Sequence, residues 1–202
     1  MIAIIDYGAG NLQSVKKALD FIGADSVITY DPSVIDAASH VILPGVGSFG
    51  DAMDMIRARG LEDVIKRAAS GDRPFLGICL GLQLLFEHSE ESPGAVGLGI
   101  FKGTVARIPG GDGLKVPHMG WNSVSLRQTD GIFKNVPDDS YFYFVHSYYL
   151  KDAAPELVAG VTEYGVEIQC AVQQGKVAAT QFHPEKSSEA GLALLRNFAE
   201  VG

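Results

Sequence analysis

Cysteine is scarce in this sequence: Cys79 and Cys170 are the only two in 202 residues. Two thiols cannot form a disulfide framework, so a packed core must hold the chain together. A basic surplus is also missing. The 16 Lys and Arg stand against 24 Asp and Glu, a net charge of -8, which argues against the basic face that nucleic-acid binding needs. The same acidic balance suits a dissolved, cytoplasmic protein kept apart by its own charge. No apolar run reaches the roughly 18 residues of a membrane-crossing helix, so no membrane association is expected. The longest, Pro74 to Phe86, is interrupted by Gly77, Gly81 and Gln83. The apolar opening stretch ends at Asp6 with no basic flank before it, and no secretory leader is expected. The five histidines are scattered without ligand spacing and neither cysteine has a nearby pair, so no metal site and no cofactor are expected. Repeats, low-complexity tracts and linkers are absent.

What is present is an ordinary globular composition, 47% hydrophobic, in a length that suits one domain spanning 1–202. In the first half, short β-rich runs alternate with amphipathic stretches. IAII (2–5), SVITY (26–30), HVILP (40–44) and PFLGI (74–78) read as strands. Residues 12–22, 47–70 (with a break at Gly60) and 80–88 read as helices, with Asn11 as an N-cap. Buried strands alternating with helices predict an α/β fold with a largely parallel central sheet flanked by helices. After about residue 95 glycine and proline become frequent. β-like runs follow one another at 100–108, 121–126, 141–146, 156–162, 166–173 and 176–182, which predicts added antiparallel strands in the second half. A terminal helix over 187–200 carries Leu192, Leu195 and Phe198 on one face. Cys170, inside the strand-like EIQCAVQQ, reads as a small buried hydrophobe.

Cys79 has a different setting. FLGICLGLQLL places it between an apolar strand and a helix, with Gly77 and Gly81 two residues to either side. This is the G-x-C-x-G form of a nucleophile elbow. The sharp turn leaves no room for neighbouring side chains and aims the following backbone N–H groups, from Leu80 onward, at the reacting centre. A helix N-terminus also favours the thiolate. Taken alone, G-x-C-x-G is equally compatible with a structural cysteine in a glycine-containing strand end. VAATQFHPEKS adds the missing partner. His183 and Glu185 lie at i and i+2, on one side of an extended segment and roughly 6.6 Å apart along it, with Pro184 stiffening the link. A thiol nucleophile needs an imidazole to take its proton, and the imidazole needs a carboxylate to orient it. A third element, LPGVGSFGDAM, puts a glycine-rich turn at the end of a strand, where backbone N–H groups can meet an anion. Without the Lys-Ser/Thr pair of a phosphate loop, an oxyanion role for Gly45 and Val46, together with Leu80, is the more economical reading. GAGN (8–11) resembles the start of a dinucleotide fingerprint but lacks its third glycine and acidic partner.

PGVGSFGDAM, GICLGLQLLFE, PHMGWN, YFYFVHSYY and TQFHPEKS, in that order, resemble the class I, triad-type glutamine amidotransferases over nearly the whole chain. More narrowly, PGVGSF, HMGWN and VHSYY resemble the branch whose glutaminase subunits serve histidine biosynthesis. The resemblance implies a flavodoxin-like sheet and a Cys79, His183, Glu185 triad that releases ammonia from L-glutamine through a thioester. Gln83, Gly47, Ser147 and Tyr148 would contact the substrate. The partner implied is a cyclase subunit with a (β/α)8 barrel. It would use the ammonia to make imidazole glycerol phosphate and an aminoimidazole carboxamide ribonucleotide, and would dock against Asn11, Trp121, Asn122, Tyr141 and Lys186. The peptide at PGVG is expected to turn before the Val46 N–H points inward. Three other readings share parts of these motifs. One is an amidotransferase for anthranilate, aminobenzoate or pyridoxal phosphate synthesis, another a partner-free cysteine hydrolase, and the third a non-catalytic flavodoxin-like binding module.

Overall fold

The computed structural model describes residues 1–70, 72–111 and 113–201. The first half runs β1 (Ile2–Ile5), α1 (Leu12–Phe21), β2 (Ser26–Thr29), α2 (Pro32–Ala37), β3 (His40–Gly45), α3 (Phe49–Ala58), α4 (Glu62–Ala68), β4 (Phe75–Cys79) and α5 (Leu80–Leu84). It continues through β5 (His88–Ser89), β6 (Thr104–Arg107), β7 (His118–Leu126), β8 (Ser140–His146), β9 (Tyr148–Lys151), β10 (Val158–Glu163), β11 (Glu167–Gln174), β12 (Val177–Thr180) and α6 (Ser188–Glu200). The main sheet has nine strands in the order β2-β1-β3-β4-β12-β11-β10-β7-β8. Pairing is parallel from β2 through β12 and antiparallel from β12 through β8. The fold is therefore α/β with a large mixed sheet, and its parallel half follows the doubly wound order with β12 as the fifth strand. A small sheet of β5, β6 and β9 lies apart from it.

The inner parallel strands β1, β3, β4 and β12 are buried on both faces, so they are almost wholly apolar, while β2 at the edge is half-exposed. In β1, Ala3 and Ile5 pack in a layer with Ile35 of α2, Met53 and Ile56 of α3, Val64 of α4 and Leu82 of α5. Ile2 and Ile4 face the opposite layer, with Val15 and Leu19 of α1 and Leu194, Leu195 and Phe198 of α6. Local signals agree at the helix starts. The Asp31 carboxylate accepts the Ser33 N–H ahead of Pro32, and the Ser48 hydroxyl accepts the Asp51 N–H. Asn11 does occupy the position before α1, but its side chain makes no capping bond.

Several expectations shift. The helix after Cys79 does not run to residue 88. It stops at Leu84 because the carbonyls that would receive the next turn are taken from outside: Leu98 N–H donates to Leu84 O, and Ile100 and Phe101 N–H donate to Leu85 O. The break expected at Gly60 is present: residues 47–70 form two helices separated there, and a φ of +66° suits the glycine. The last β run ends at Thr180 rather than 182. On α6 the fully buried positions are Gly191, Leu194, Leu195 and Phe198, with Leu192 only half-buried. Among the described residues no helix is long and apolar enough to cross a membrane.

Candidate active site

The parallel strands β3, β4 and β12 end side by side, and their carboxyl ends build the site, as the doubly wound arrangement dictates. Cys79 occupies the joint of β4 and α5 with φ 56° and ψ −109°, a strained conformation for a residue with a side chain. Its neighbours explain why only glycine fits around it. A Cβ on Gly81 would come within 1.9 Å of Leu43 O, and one on Gly77 within 2.9 Å of Gly81 O. Gly45 stands opposite Cys79 in the β3–β4 register. A Cβ there would meet the Tyr7 hydroxyl at 2.7 Å and Leu80 Cβ at 2.8 Å. Tyr7 itself is fully buried, with no hydrogen-bond partner for its hydroxyl. Burial raises its pKa, the nearby Cys79 raises it further, and the Val46 backbone N–H partly counteracts both.

His183 follows β12. The segment from His183 to Glu185 is not extended, as the sequence pattern implied. Pro184–Lys186 form a 3-10 turn with the proline at its start, a place where the missing N–H costs nothing. The turn folds the Glu185 carboxylate back, and Oε1 accepts from His183 Nδ1 at 2.8 Å. Both side chains are almost wholly shielded from solvent. The backbone of His183 is pinned as well. Its N–H donates to Tyr143 O of β8, and its carbonyl accepts the Ser187 hydroxyl at 2.6 Å, while the Ser187 oxygen accepts the Tyr143 N–H. The ring is thereby held with Nδ1 committed to Glu185, and Nε2 has no partner within hydrogen-bond limits. Burial by itself would lower the pKa of His183. Interactions with Cys79 and Glu185 outweigh it and raise the value to about 10.

Cys79 and His183 share one cavity of about 310 Å³, together with Val46, Gly47, Leu80, Gln83, Ser147, Tyr148 and Lys186. The expected catalytic and substrate-contacting residues are thus brought together, except that Glu185 stands behind His183 and Gly45 behind the wall. Three further wall residues, Glu91, Val145 and His146, were not singled out from the sequence. The Glu91 carboxylate accepts the Phe49 N–H at 2.8 Å. Gln181 was also missed: it is fully buried, and its Nε2 lies 3.7 Å from Cys79 Sγ. The histidines are less scattered than their spacing implies. His118 Nδ1 and His146 Nε2 are 2.9 Å apart, because β7 and β8 pair them across the sheet. Among the described residues no cluster of His, Cys, Asp or Glu could hold a metal ion.

The residues expected to meet a partner divide. Trp121 and Tyr141 are exposed and border a shared hollow with Ser187 and Glu189. Trp121 packs edge-on against Tyr143 at 6.2 Å, and Lys186 Nζ lies 5.7 Å above the same ring. These side chains link the cavity mouth to an exposed aromatic face. Asn122 turns inward instead, donating to Glu163 O at 2.9 Å, and Asn11 stands half-buried ahead of α1.

A Cys-elbow, a carboxylate-oriented histidine and a glycine turn at adjoining strand ends are the parts of a cysteine-dependent acyl-transfer site. The chain belongs to the class-I glutamine amidotransferases, whose family model matches residues 3–201. It is 52% identical to the imidazole glycerol phosphate synthase subunit HisH of Moorella thermoacetica, over 99% of this chain and 94% of that one. It is 50% identical to the subunit of the same name from Methanothermobacter thermautotrophicus, over 100% of this chain and 98% of that one. A crystal structure of a glutamine amidotransferase matches with a TM-score of 0.76 over 100% of both chains, at 21% identity, a likeness of fold.

Proposed function

We propose that this chain, as one amidotransferase domain over 1–202, is the glutaminase subunit of an imidazole glycerol phosphate synthase. It hydrolyses L-glutamine and passes the ammonia to a (β/α)8-barrel cyclase in the cytoplasm. The observation that carries the reading is the single cavity shared by Cys79 and His183, with Glu185 bonded to His183 from behind. The Cys79 sulfur, its proton passed to His183 Nε2, attacks the carboxamide carbon of glutamine, forming a C–S bond. Charge on the carbonyl oxygen is met by the backbone N–H groups of Leu80 and, once its peptide turns, Val46. His183 delivers its Nε2 proton to the leaving nitrogen, the C–N bond breaks, and ammonia departs. Water then attacks the thioester with His183 as base, releasing glutamate and restoring the thiol. Glu185 keeps the imidazole oriented throughout.

Substrate placement follows from charge. Glu91 is the carboxylate on the cavity wall, suited to the α-ammonium of glutamine, while Gly47, Gln83, Ser147 and Tyr148 border the rest of it. Docking of the cyclase with its nucleotide would turn the Val46 peptide so that its N–H meets the substrate oxygen. The face of Trp121, Tyr141 and Lys186, with Asn122 and Asn11 at its margins, is the proposed docking surface, anchored by aromatics beside the cavity mouth. Glutamate formation by the chain alone, and with a cyclase subunit plus its nucleotide ligand, tests the proposal. Strong stimulation that disappears in Cys79→Ala is expected. Equal turnover with and without the cyclase would remove the pathway and the gating.

A further inference from the structure

Gln181 has none of the roles considered so far. It lies two residues before His183, is completely buried, and is anchored by its backbone N–H to Cys170 O at 2.8 Å. Its side chain connects on both sides. Oε1 accepts from Gln83 Nε2 at 3.0 Å, and Nε2 points at Cys79 Sγ at 3.7 Å. Gln83 Nε2 also donates to the backbone carbonyl of Tyr148 at 3.1 Å.

The direction of this chain is not free. A backbone carbonyl only accepts, so the end of Gln83 that faces Tyr148 O must be its NH2 group. The second hydrogen of that NH2 needs an acceptor, so Gln181 must present its oxygen to Gln83. That leaves the NH2 of Gln181 facing the sulfur. The Tyr148 carbonyl is held in turn by His146 Nδ1 at 2.8 Å, and His146 Nε2 is matched to His118 Nδ1. Every link donates toward Tyr148 O or toward Cys79, with no alternative flip that keeps all the bonds. A buried N–H aimed at sulfur favours the thiolate over the thiol, and burial strengthens such a charge-assisted bond.

Resting on the reading of Cys79 as the nucleophile, we propose that Gln181 is a further catalytic residue. Its amide N–H holds the Cys79 sulfur ionised and aimed at the substrate carbon, and Gln83 is the positioning residue that fixes the direction of that amide. Gln181→Met keeps the side-chain length and removes the donor; Gln181→Glu keeps the shape and places carboxylate oxygens against the sulfur. The readout is alkylation of Cys79 by iodoacetamide from pH 6 to 10 in the full chain, since Cys170 is wholly buried, with kcat and KM for glutamate formation measured beside it. Alkylation at pH 7 should slow by about 10-fold or more in both variants, the effect of losing a hydrogen bond to a charged group, and should converge with the parent chain toward pH 10. The variants should lose kcat by a similar factor, with KM nearly unchanged. Circular dichroism checks folding, and if only Gln181→Glu folds, it decides alone. Folded variants with the parent's alkylation profile and kcat would overturn the proposal, as would failure of both to fold, which would make Gln181 purely structural. Glutamate formation that survives Cys79→Ala would instead sink the underlying reading of the nucleophile.

Discussion

The two halves of the main sheet divide the work of the site unequally. The parallel half, β2 through β12, delivers Cys79, His183 and the glycine turn from three neighbouring strand ends. The antiparallel half contributes no reacting group in the proposed mechanism. It holds what the parallel half delivers: Tyr143 pins the His183 backbone, and the β7–β8 histidines stand behind the Tyr148 carbonyl that organises Gln83. Chemistry sits where parallel strands end because their backbones diverge there and leave exposed groups. Orientation comes from an antiparallel layer whose cross-strand pairs are locked in register.

This division can be broken at several points. The largest effect is expected at the reacting groups. His183→Ala should lower glutamine hydrolysis about 10⁴-fold or more, as removal of one member of a cooperating triad does, and should also lower the unfolding temperature, because the buried Glu185 carboxylate loses its partner. Glutamate release and a thermal melt check both parts. Next is the elbow itself. Gly81→Ala drives a methyl group to within 1.9 Å of Leu43 O, and the overpacked β3–β4–α5 joint should lose about 3 kcal/mol of stability, read by urea unfolding.

Titration separates the halves by sign. His183, raised from 6.5 to about 10, contributes stability that is complete below about pH 6.5 and is lost as pH climbs through about 10. His118 and His146 behave oppositely. Burial lowers them from 6.5 to about 4 and about 3, so their contribution is present above pH 6.5 and disappears as pH falls toward those values. Unfolding temperature measured against pH should therefore flatten on the alkaline limb in Glu185→Gln and on the acid limb in His118→Gln. The reverse pattern would contradict the assignment of the two groups. The smallest change in stability is expected for Lys186→Ala, within about 0.5 kcal/mol because the side chain is exposed. Stimulation by the cyclase should fall at least two-fold, which a coupled synthase assay would detect.

The residues that were legible in the sequence share one property: their roles are imposed locally. Gly77 and Gly81 flank Cys79 because the turn admits no side chain, and the nearly unbroken apolar runs of β1, β3 and β4 report burial on both faces. α2 was not foreseen, since six residues are too few for a clear helical period. The helix after Cys79 was drawn too long because the bonds that end it come from residues 97 to 101, beyond any local window. The pairing of His118 with His146 was hidden for the same reason.

By itself, the sequence determined the α/β class and the tight glycine-flanked turns around Cys79 and after β3, because local sterics fix each of them, and it pointed to His183 and Glu185 only when they were read beside Cys79. Only the tertiary structure decided which of these groups share a cavity. It also decided how the 3-10 turn brings Glu185 onto His183, that Trp121 stays exposed while Asn122 turns inward, and that Gln181 faces the sulfur. Those outcomes depend on strands distant in sequence meeting in one register, and a hydrogen bond between them acquires its direction only once the sheet has closed.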